Sequence, residues 1–321
     1  MTYARITGTG SYLPKHIMTN HDWEKLVDTS HDWIVERTGI EQRHIADDTE
    51  TSSMMGTEAA KKALEAANLS AQDLDLIICA TCTPDQWFPS AAVSIQKALG
   101  ITADIPAFDV GAACAGFMFA LATANNFIRA GQSRRVLVVG TEMMSRTLDW
   151  TDRTTCVLFA DGAGAVILEA SNEPGILSTK LHAQGQYSDL LYYPNSQIAP
   201  ENKREEKYLR MQGQEVFKLA VRGLSDIVED LTVEPNGPPI KIDWLVPHQA
   251  NLRIIRAIAK KCGLPMAQVI VTVDKQGNTS SASIPLALDI GIRDGRIQPG
   301  QTVLLEGFGG GMAWGGALIK M

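Results

Sequence analysis

Positive charge is what the chain is shortest of: 29 lysines and arginines face 36 aspartates and glutamates, a net charge of −7 over 321 residues. A general nucleic-acid binder needs the opposite balance, which leaves room only for a local basic patch. Long apolar runs are missing as well. No 18-residue stretch is both uncharged and apolar enough to span a bilayer. The opening MTYARITGTGSYLP lacks the apolar core of a secretory signal. Cysteine is sparse, and five of them in no disulfide-like pattern suit a reducing cytoplasm. What is present is an ordinary globular balance, 45% hydrophobic and 20% charged. The chain is long enough for a large core, as one domain or as two fused halves.

The five cysteines differ in setting. Cys79 and Cys82 form a C-x-x-C in LIICATCTPD. It closes a strand, no helix follows at once, and there is no second ligand pair. A redox or zinc centre is therefore not expected, and no metal is. Cys156, in TTCVLFADGAGAVIL, reads as a core position in a strand, and Cys262 closes an amphipathic helix. Only Cys114, in DVGAACAGF, stands at a strand-to-helix junction, ahead of the apolar run AGFMFALATANNFI.

The chain repeats itself. LDLIICA (74–80) resembles IDWLVPH (242–248), and RRVLVVGTE (134–142) resembles QTVLLEGFG (301–309). AFDVGAACAGFMFALATANNFIRAG (107–131) resembles TVDKQGNTSSASIPLALDIGIRDG (272–295), each read as strand, tight turn and helix. Cys114 precedes Arg129 by the same 15 residues by which Asn278 precedes Arg293. A period of about 165 residues is too long for a solenoid and predicts a duplicated α/β unit, with halves 1–172 and 173–321. His248 occupies the strand end that matches Ala80. Strand C-termini and helix N-termini are where α/β proteins build sites. A pseudo-twofold packing would bring Cys114, Asn278 and His248 together.

These three residues can carry chemistry. A thiol at a helix N-terminus is expected to have a lowered pKa and to serve as a nucleophile. His248 follows an apolar strand and a proline, whereas His16, His21, His31, His44 and His182 lie in polar surroundings. Asn278 has the features of a turn or capping residue as well as of a hydrogen-bond donor. The glycine-rich EGFGGGMAWGG (306–316) lacks the Gly-Lys-Ser/Thr of a phosphate loop. Its glycines instead allow backbone N–H groups to approach a reacting oxygen.

Together with GTGSYLP (8–14), DWIVERTGI (32–40), FPSAA (88–92), FADGAGA (159–165), HQANLRII (248–255), GNTSSAS (277–283) and GFGGGMAWG (307–315), these stretches make nearly the whole chain similar to the β-ketoacyl-acyl-carrier-protein synthase III family. These are the initiating condensing enzymes of bacterial fatty-acid synthesis, within the thiolase superfamily. The resemblance implies an α/β, thiolase-like five-layer αβαβα fold with two mixed sheets around buried helices, in a homodimer. It implies a decarboxylating condensation of a short acyl-CoA, such as acetyl-CoA, with malonyl-acyl carrier protein. No cofactor beyond these thioester substrates is implied. Cys114 would be acylated, His248 and Asn278 would bind the enolate oxygen, and the N–H groups of Cys114 and Gly310 would form an oxyanion hole. Trp33, Arg37, Arg153, Phe217 and Asn251 match coenzyme A positions, and Phe88, Met144 and Phe159 match acyl-pocket positions. Lys218, Gln249, Arg253, Arg256, Lys260 and Lys261 are expected to meet the acidic carrier protein.

The last of these expectations has a basis in the residues. In NLRIIRAIAKKCG (251–263), Leu252, Ile255, Ala259 and Cys262 form an apolar stripe, and no acid interrupts the four cations. A degradative thiolase would carry a second cysteine in the last glycine-rich loop, which has none here. Elongating relatives would carry histidine at Asn278, plant-type polyketide synthases are longer, and the local signature of papain-like proteases is absent. The alternatives left are a related condensing enzyme with a longer or specialised primer, a carrier-binding scaffold without activity, and a cysteine hydrolase. The intact Cys114, His248 and Asn278 argue against the scaffold, and a hydrolase would release free acid.

Overall fold

Strands β1 (Tyr3–Tyr12), β2 (Leu76–Ala80), β3 (Ala107–Val110), β4 (Arg135–Met143), β5 (Asp161–Ser171), β6 (Ile176–Ala183), β7 (Trp244–Pro247), β8 (Thr302–Gly309) and β9 (Ala313–Lys320) sort into two sheets. The computed structural model describes residues 2–195, 197–203, 205–233 and 239–321. The first sheet runs β1-β5-β4-β2-β3 and the second β6-β9-β8-β7. Pair for pair the two agree. β1/β5 and β6/β9 are antiparallel, as are β5/β4 and β9/β8, while β4/β2 and β8/β7 are parallel. β3 lies parallel to β2, and its counterpart is a single parallel bridge from Leu245 to Val269. The repeat read in the sequence is thus a repeat of topology.

The layering follows from alternation. In β4, Val136 and Val138 face one core while Leu137 and Val139 face another, as a period of two requires in a strand buried on both sides. Helices α2 (Ser52–Ala67) and α3 (Ala91–Ala98) cover the outer face of the first sheet, and α5 (Gly213–Thr232) and α6 (Leu252–Lys261) that of the second. Between the sheets lie α4 (Gly116–Arg129) and α7 (Ser283–Arg293). Phe117, Leu121, Ile284 and Leu288 from these two pack against Ile78, Val138, Val246 and Leu305 from both sheets. A helix roofed on both sides has no polar face to keep, which is why AGFMFALATANNFI is apolar all round. Ahead of these comes α1 (His31–Thr38), capped by Ser30 accepting the Trp33 N–H at 3.1 Å and ended by Gly39 at φ 78°.

Two local readings are corrected. The segment from Thr272 is not a strand, because Val273–Gln276 forms a short helix. The Gln249 carboxamide oxygen takes the Thr272 and Val273 N–H groups at 2.8 and 3.1 Å, so a strand partner cannot. Cys156 is buried, but in a turn rather than a strand. Asp152 O accepts the N–H groups of Thr155 and Cys156 at 3.1 and 3.0 Å.

The first sheet touches the 280–282 segment without an intervening side chain. A Cβ on Gly140 would sit 2.5 Å from Ser281 O and 3.2 Å from Ala282 Cα, both backbone atoms with no room to yield. Gly140→Ala should therefore lower stability by about 1–3 kcal/mol, the usual range for overpacking, read as a shift in the denaturant midpoint. An unchanged midpoint would contradict this contact.

Candidate active site

Both middle-layer helices open at the same place, and each is preceded by a one-turn 3₁₀ segment, Ala113–Ala115 before α4 and Ser280–Ala282 before α7. Ala113 and Ser280 hold left-handed φ values of 45° and 50°, unusual for residues with a Cβ. Cys114 lies in the first segment, and the end of β8 presses on it. A Cβ on Gly309 would fall 2.5 Å from Cys114 N and 2.9 Å from Ala115 N, so only glycine fits there. Gly310 follows, against Ala113.

His248 leaves β7 with its N–H donated to Glu306 O of β8 at 2.8 Å. Its Nδ1 lies 2.5 Å from Ser283 Oγ at the start of α7. That hydroxyl already accepts the Gln249 N–H at 3.3 Å. Its own proton can go to Nδ1, which places the imidazole proton on Nε2. Burial pushes the ring's pKa down to about 3, so it is a neutral donor. Asn278 is fixed by Asn278 N–H to Leu158 O and Ala160 N–H to Asn278 O, both 2.9 Å, beside Phe159. Its Oδ1 accepts the Ser280 N–H at 2.9 Å. That leaves Nδ2 as the outward donor.

Cys114, His248 and Asn278 line one cavity of about 840 Å³, together with Phe159, Phe308 and the mouth residues Trp33, Arg37, Arg153, Phe217, Lys218, Asn251 and Arg253. At the mouth the Trp33 ring carries the Arg37 guanidinium at 4.5 Å and that of Arg153 at 5.1 Å, within cation–π range. Arg253 stands 5.4 Å over Phe217. Asn251 caps α6 by accepting the Arg253 N–H at 2.8 Å and donates to Arg37 O at 2.9 Å.

Not every expected residue arrives there. Cys114 is not activated as the helix terminus suggested. Burial pushes its thiol up to about 12. Gln249 is corrected as a carrier-protein residue. It is 1% exposed, and its amide serves Pro247 O, Ile270 O and the 272–273 backbone. Phe88 is 85% exposed on the loop after β2 and does not line this cavity, while Met144 is buried in the core that also holds Phe159. Arg256 and Lys260 are exposed on α6, Lys261 pairs with Glu229, and Lys218 pairs with Glu215 at 2.8 Å. Arg256 borders a shallow groove shared with Glu36, Glu41 and Asp274, acids that are remote in sequence. Sequence reasoning passed over Ser280 and Ser283, though both stand in the GNTSSAS run, and over Glu142, whose signal was a carboxylate ending the apolar run VLVVGTE.

The family described as 3-oxoacyl-[acyl-carrier-protein] synthase III matches residues 108–185, and its C-terminal counterpart matches residues 236–321. A β-ketoacyl-[acyl-carrier-protein] synthase III of Methylococcus capsulatus is 59% identical over 319 residues, 99% of each chain. The chain belongs to this family. The relative from Alkalilimnicola ehrlichii is 57% identical over the full length of both chains. The crystal structure of the synthase III from Aquifex aeolicus, 45% identical, superposes with a TM-score of 0.92 over 99% of this chain and 100% of that one. The thiolase-like five-layer α/β fold is thereby shared.

The tautomer and charge of His248 can be read directly. Its ring should stay neutral, with the proton on Nε2, from about pH 8 to about pH 5, which ¹⁵N NMR reports; an imidazolium near pH 6 would overturn the assignment. The stability that depends on this neutral ring is complete above the ordinary histidine range and is lost as pH falls toward about 3. His248→Gln should therefore lose stability less steeply in acid.

Proposed function

We propose that this family member is a β-ketoacyl-[acyl-carrier-protein] synthase III, an acyltransferase that starts fatty-acid synthesis through an acyl-enzyme on Cys114. The observation that carries the reading is the single cavity that joins Cys114, His248 and Asn278 to the Trp33, Arg37 and Arg153 mouth. A short acyl-CoA, acetyl-CoA foremost, enters with its flat adenine beside Trp33 and its phosphates toward the arginines. The Cys114 sulfur attacks the thioester carbonyl, and coenzyme A leaves as thiolate. Malonyl-acyl carrier protein follows. As its carboxylate departs as CO₂, charge moves to the thioester oxygen, where His248 Nε2–H and Asn278 Nδ2–H receive it. Preorganised donors in a buried site are strongest where charge develops. The enolate carbon attacks the acyl-enzyme carbonyl, whose oxygen is held by the N–H groups of Cys114 and Gly310. The 3-oxoacyl-acyl carrier protein leaves and Cys114 is restored. Both halves of the reaction use thioester substrates and call for no separate cofactor or metal.

Phe159, which lines the cavity, supports a short acyl pocket. The names of the Methylococcus and Alkalilimnicola relatives favour initiation of fatty-acid synthesis over a specialised longer primer. Trp87 and Phe88, 68% and 85% exposed, form an apolar projection that fits burial against a second copy. A homodimer is the assembly we infer, with the repeats 1–172 and 173–321 in each protomer. Among the described residues no helix is long and apolar enough to cross a membrane, and a cytoplasmic setting suits the five unpaired thiols.

Intact-mass spectrometry with a panel of acyl-CoAs should show one adduct on Cys114, strongest for short chains and absent in Cys114→Ser, because a hydroxyl is far less ionised than a thiol. An adduct on Cys79, Cys82, Cys156 or Cys262 would contradict the reading.

A second experiment addresses the carrier surface. Arg253 also lines the cavity mouth, so the outer cations Arg256 and Lys260 isolate the effect better. Arg256→Glu with Lys260→Glu should raise KM for malonyl-acyl carrier protein about tenfold or more while acylation by acyl-CoA changes little. Raised salt should weaken the parent's use of the carrier substrate in the same direction. Equal losses for both substrates would mean general damage.

A further inference from the structure

We propose that Glu142 takes up the proton that Cys114 gives up on acylation, acting through the Ser280 hydroxyl, and so is a positioning residue that never touches substrate. This rests on Cys114 being the acylated nucleophile. Glu142 is the second-last residue of β4 and is fully buried. Its carboxylate accepts the Cys82 N–H at 3.1 Å and the Thr83 and Thr81 hydroxyls at 2.7 and 3.3 Å. It also accepts the Cys82 thiol at 3.3 Å and the Ser280 hydroxyl at 3.1 Å. None of these partners is a cation. A carboxylate held only by neutral donors at the inner end of an apolar strand needs a reason to be ionisable.

Ser280 supplies one. Its backbone is locked in a left-handed conformation with its N–H on Asn278 Oδ1, its hydroxyl donates to Glu142, and the 280–282 segment packs against the 113–115 segment that carries Cys114. Since the hydroxyl proton goes to Glu142, its oxygen is left free to accept the thiol proton. The path is Cys114 S–H to Ser280 Oγ, and Ser280 O–H to Glu142.

Charge makes the same argument. Burial raises both the thiol and the carboxyl, and a charge on Glu142 raises the thiol further. The cluster has room for one negative charge at most, and in this proposal it sits on Glu142 before acylation. Moving the thiol proton to Glu142 shifts that charge to sulfur without burying a second one. His248 offers no better acceptor, with Nδ1 engaged by Ser283 and its basicity suppressed by burial. In acylation the S–H bond of Cys114 breaks, its proton passes to Ser280 as Ser280's own passes to Glu142, and the S–C bond forms. Coenzyme A leaves with its electron pair and is protonated by solvent. In condensation the C–S bond to Cys114 breaks, the pair returns to sulfur, and Glu142 returns the proton through Ser280.

The titratable groups that face Glu142 are Cys79, in its own sheet, Cys82, on the loop after β2, and Cys114, on the segment before α4. All are thiols and none titrates in acid, and His248 in the same cavity titrates only at about 3, so an acidic limb above that belongs to Glu142. The experiment is single-turnover acylation of the full-length protein by acetyl-CoA, followed by quenched-flow mass spectrometry across pH. Glu142→Gln and Ser280→Ala should each slow acylation about 10²-fold. The double variant should be no slower than the slower single, and Glu142→Gln should erase the acidic limb of the parent. Folded variants that acylate within about threefold of the parent, losses that multiply, or a persisting acidic limb would overturn the proposal. Should Glu142→Gln not fold, Ser280→Ala decides alone, since it removes only a hydroxyl and keeps the N–H bond to Asn278. A parent that is never acylated would overturn the reading on which the proposal rests; a parent acylated alongside unaffected variants would overturn only the proposal.

Discussion

Two sheets sharing one layer of helices is the constraint from which the site follows. α4 and α7 must each pack against both sheets, and their apolar sequences leave them no other place. Once they lie side by side, the residues before their first turns are brought together from 164 positions apart in the chain. Cys114 and Asn278 need no loop of their own to find each other. The close approaches at Gly140 and Gly309 are the local cost of that arrangement, because backbone there meets backbone with no side chain between.

The same layer also keeps water away, and this shapes the chemistry more than any single residue does. Desolvation lowers the His248 ring and raises the Cys114 thiol and the Glu142 carboxyl. In the mechanism proposed above, charge develops when a thioester oxygen becomes an enolate or an oxyanion, and donors such as His248 Nε2–H and Asn278 Nδ2–H would be strong there because a buried site offers few competitors. Their orientation is set one bond back, by Ser283 on the imidazole and by the Ser280 N–H on the amide.

Much of this was legible in the chain, and the residues show why. The topological repeat appears in LDLIICA and IDWLVPH because a strand buried on both faces writes its burial into every position. Cys114, His248 and Asn278 stand out because strand ends and helix starts are marked locally. Glu142 and Ser283 do not, since their partners Ser280 and His248 lie 138 and 35 residues away. The thiol was misjudged for a related reason: a helix start is visible in sequence, but the depth of burial that outweighs it is not. Gln249 looked like surface because it follows His248 toward a basic helix. Only the fold shows that its amide is spent on the backbone at 272–273.

The cap on α6 reaches further than the helix it ends. One Asn251 side chain accepts from the first turn of α6 and donates to the last turn of α1, where Arg37 faces Trp33. Gly39, at the end of α1, lies so near Leu252 that a Cβ there would come within 2.5 Å of it. A single carboxamide and one backbone approach thus tie the start of the basic helix to the arginine that faces the tryptophan at the cavity mouth.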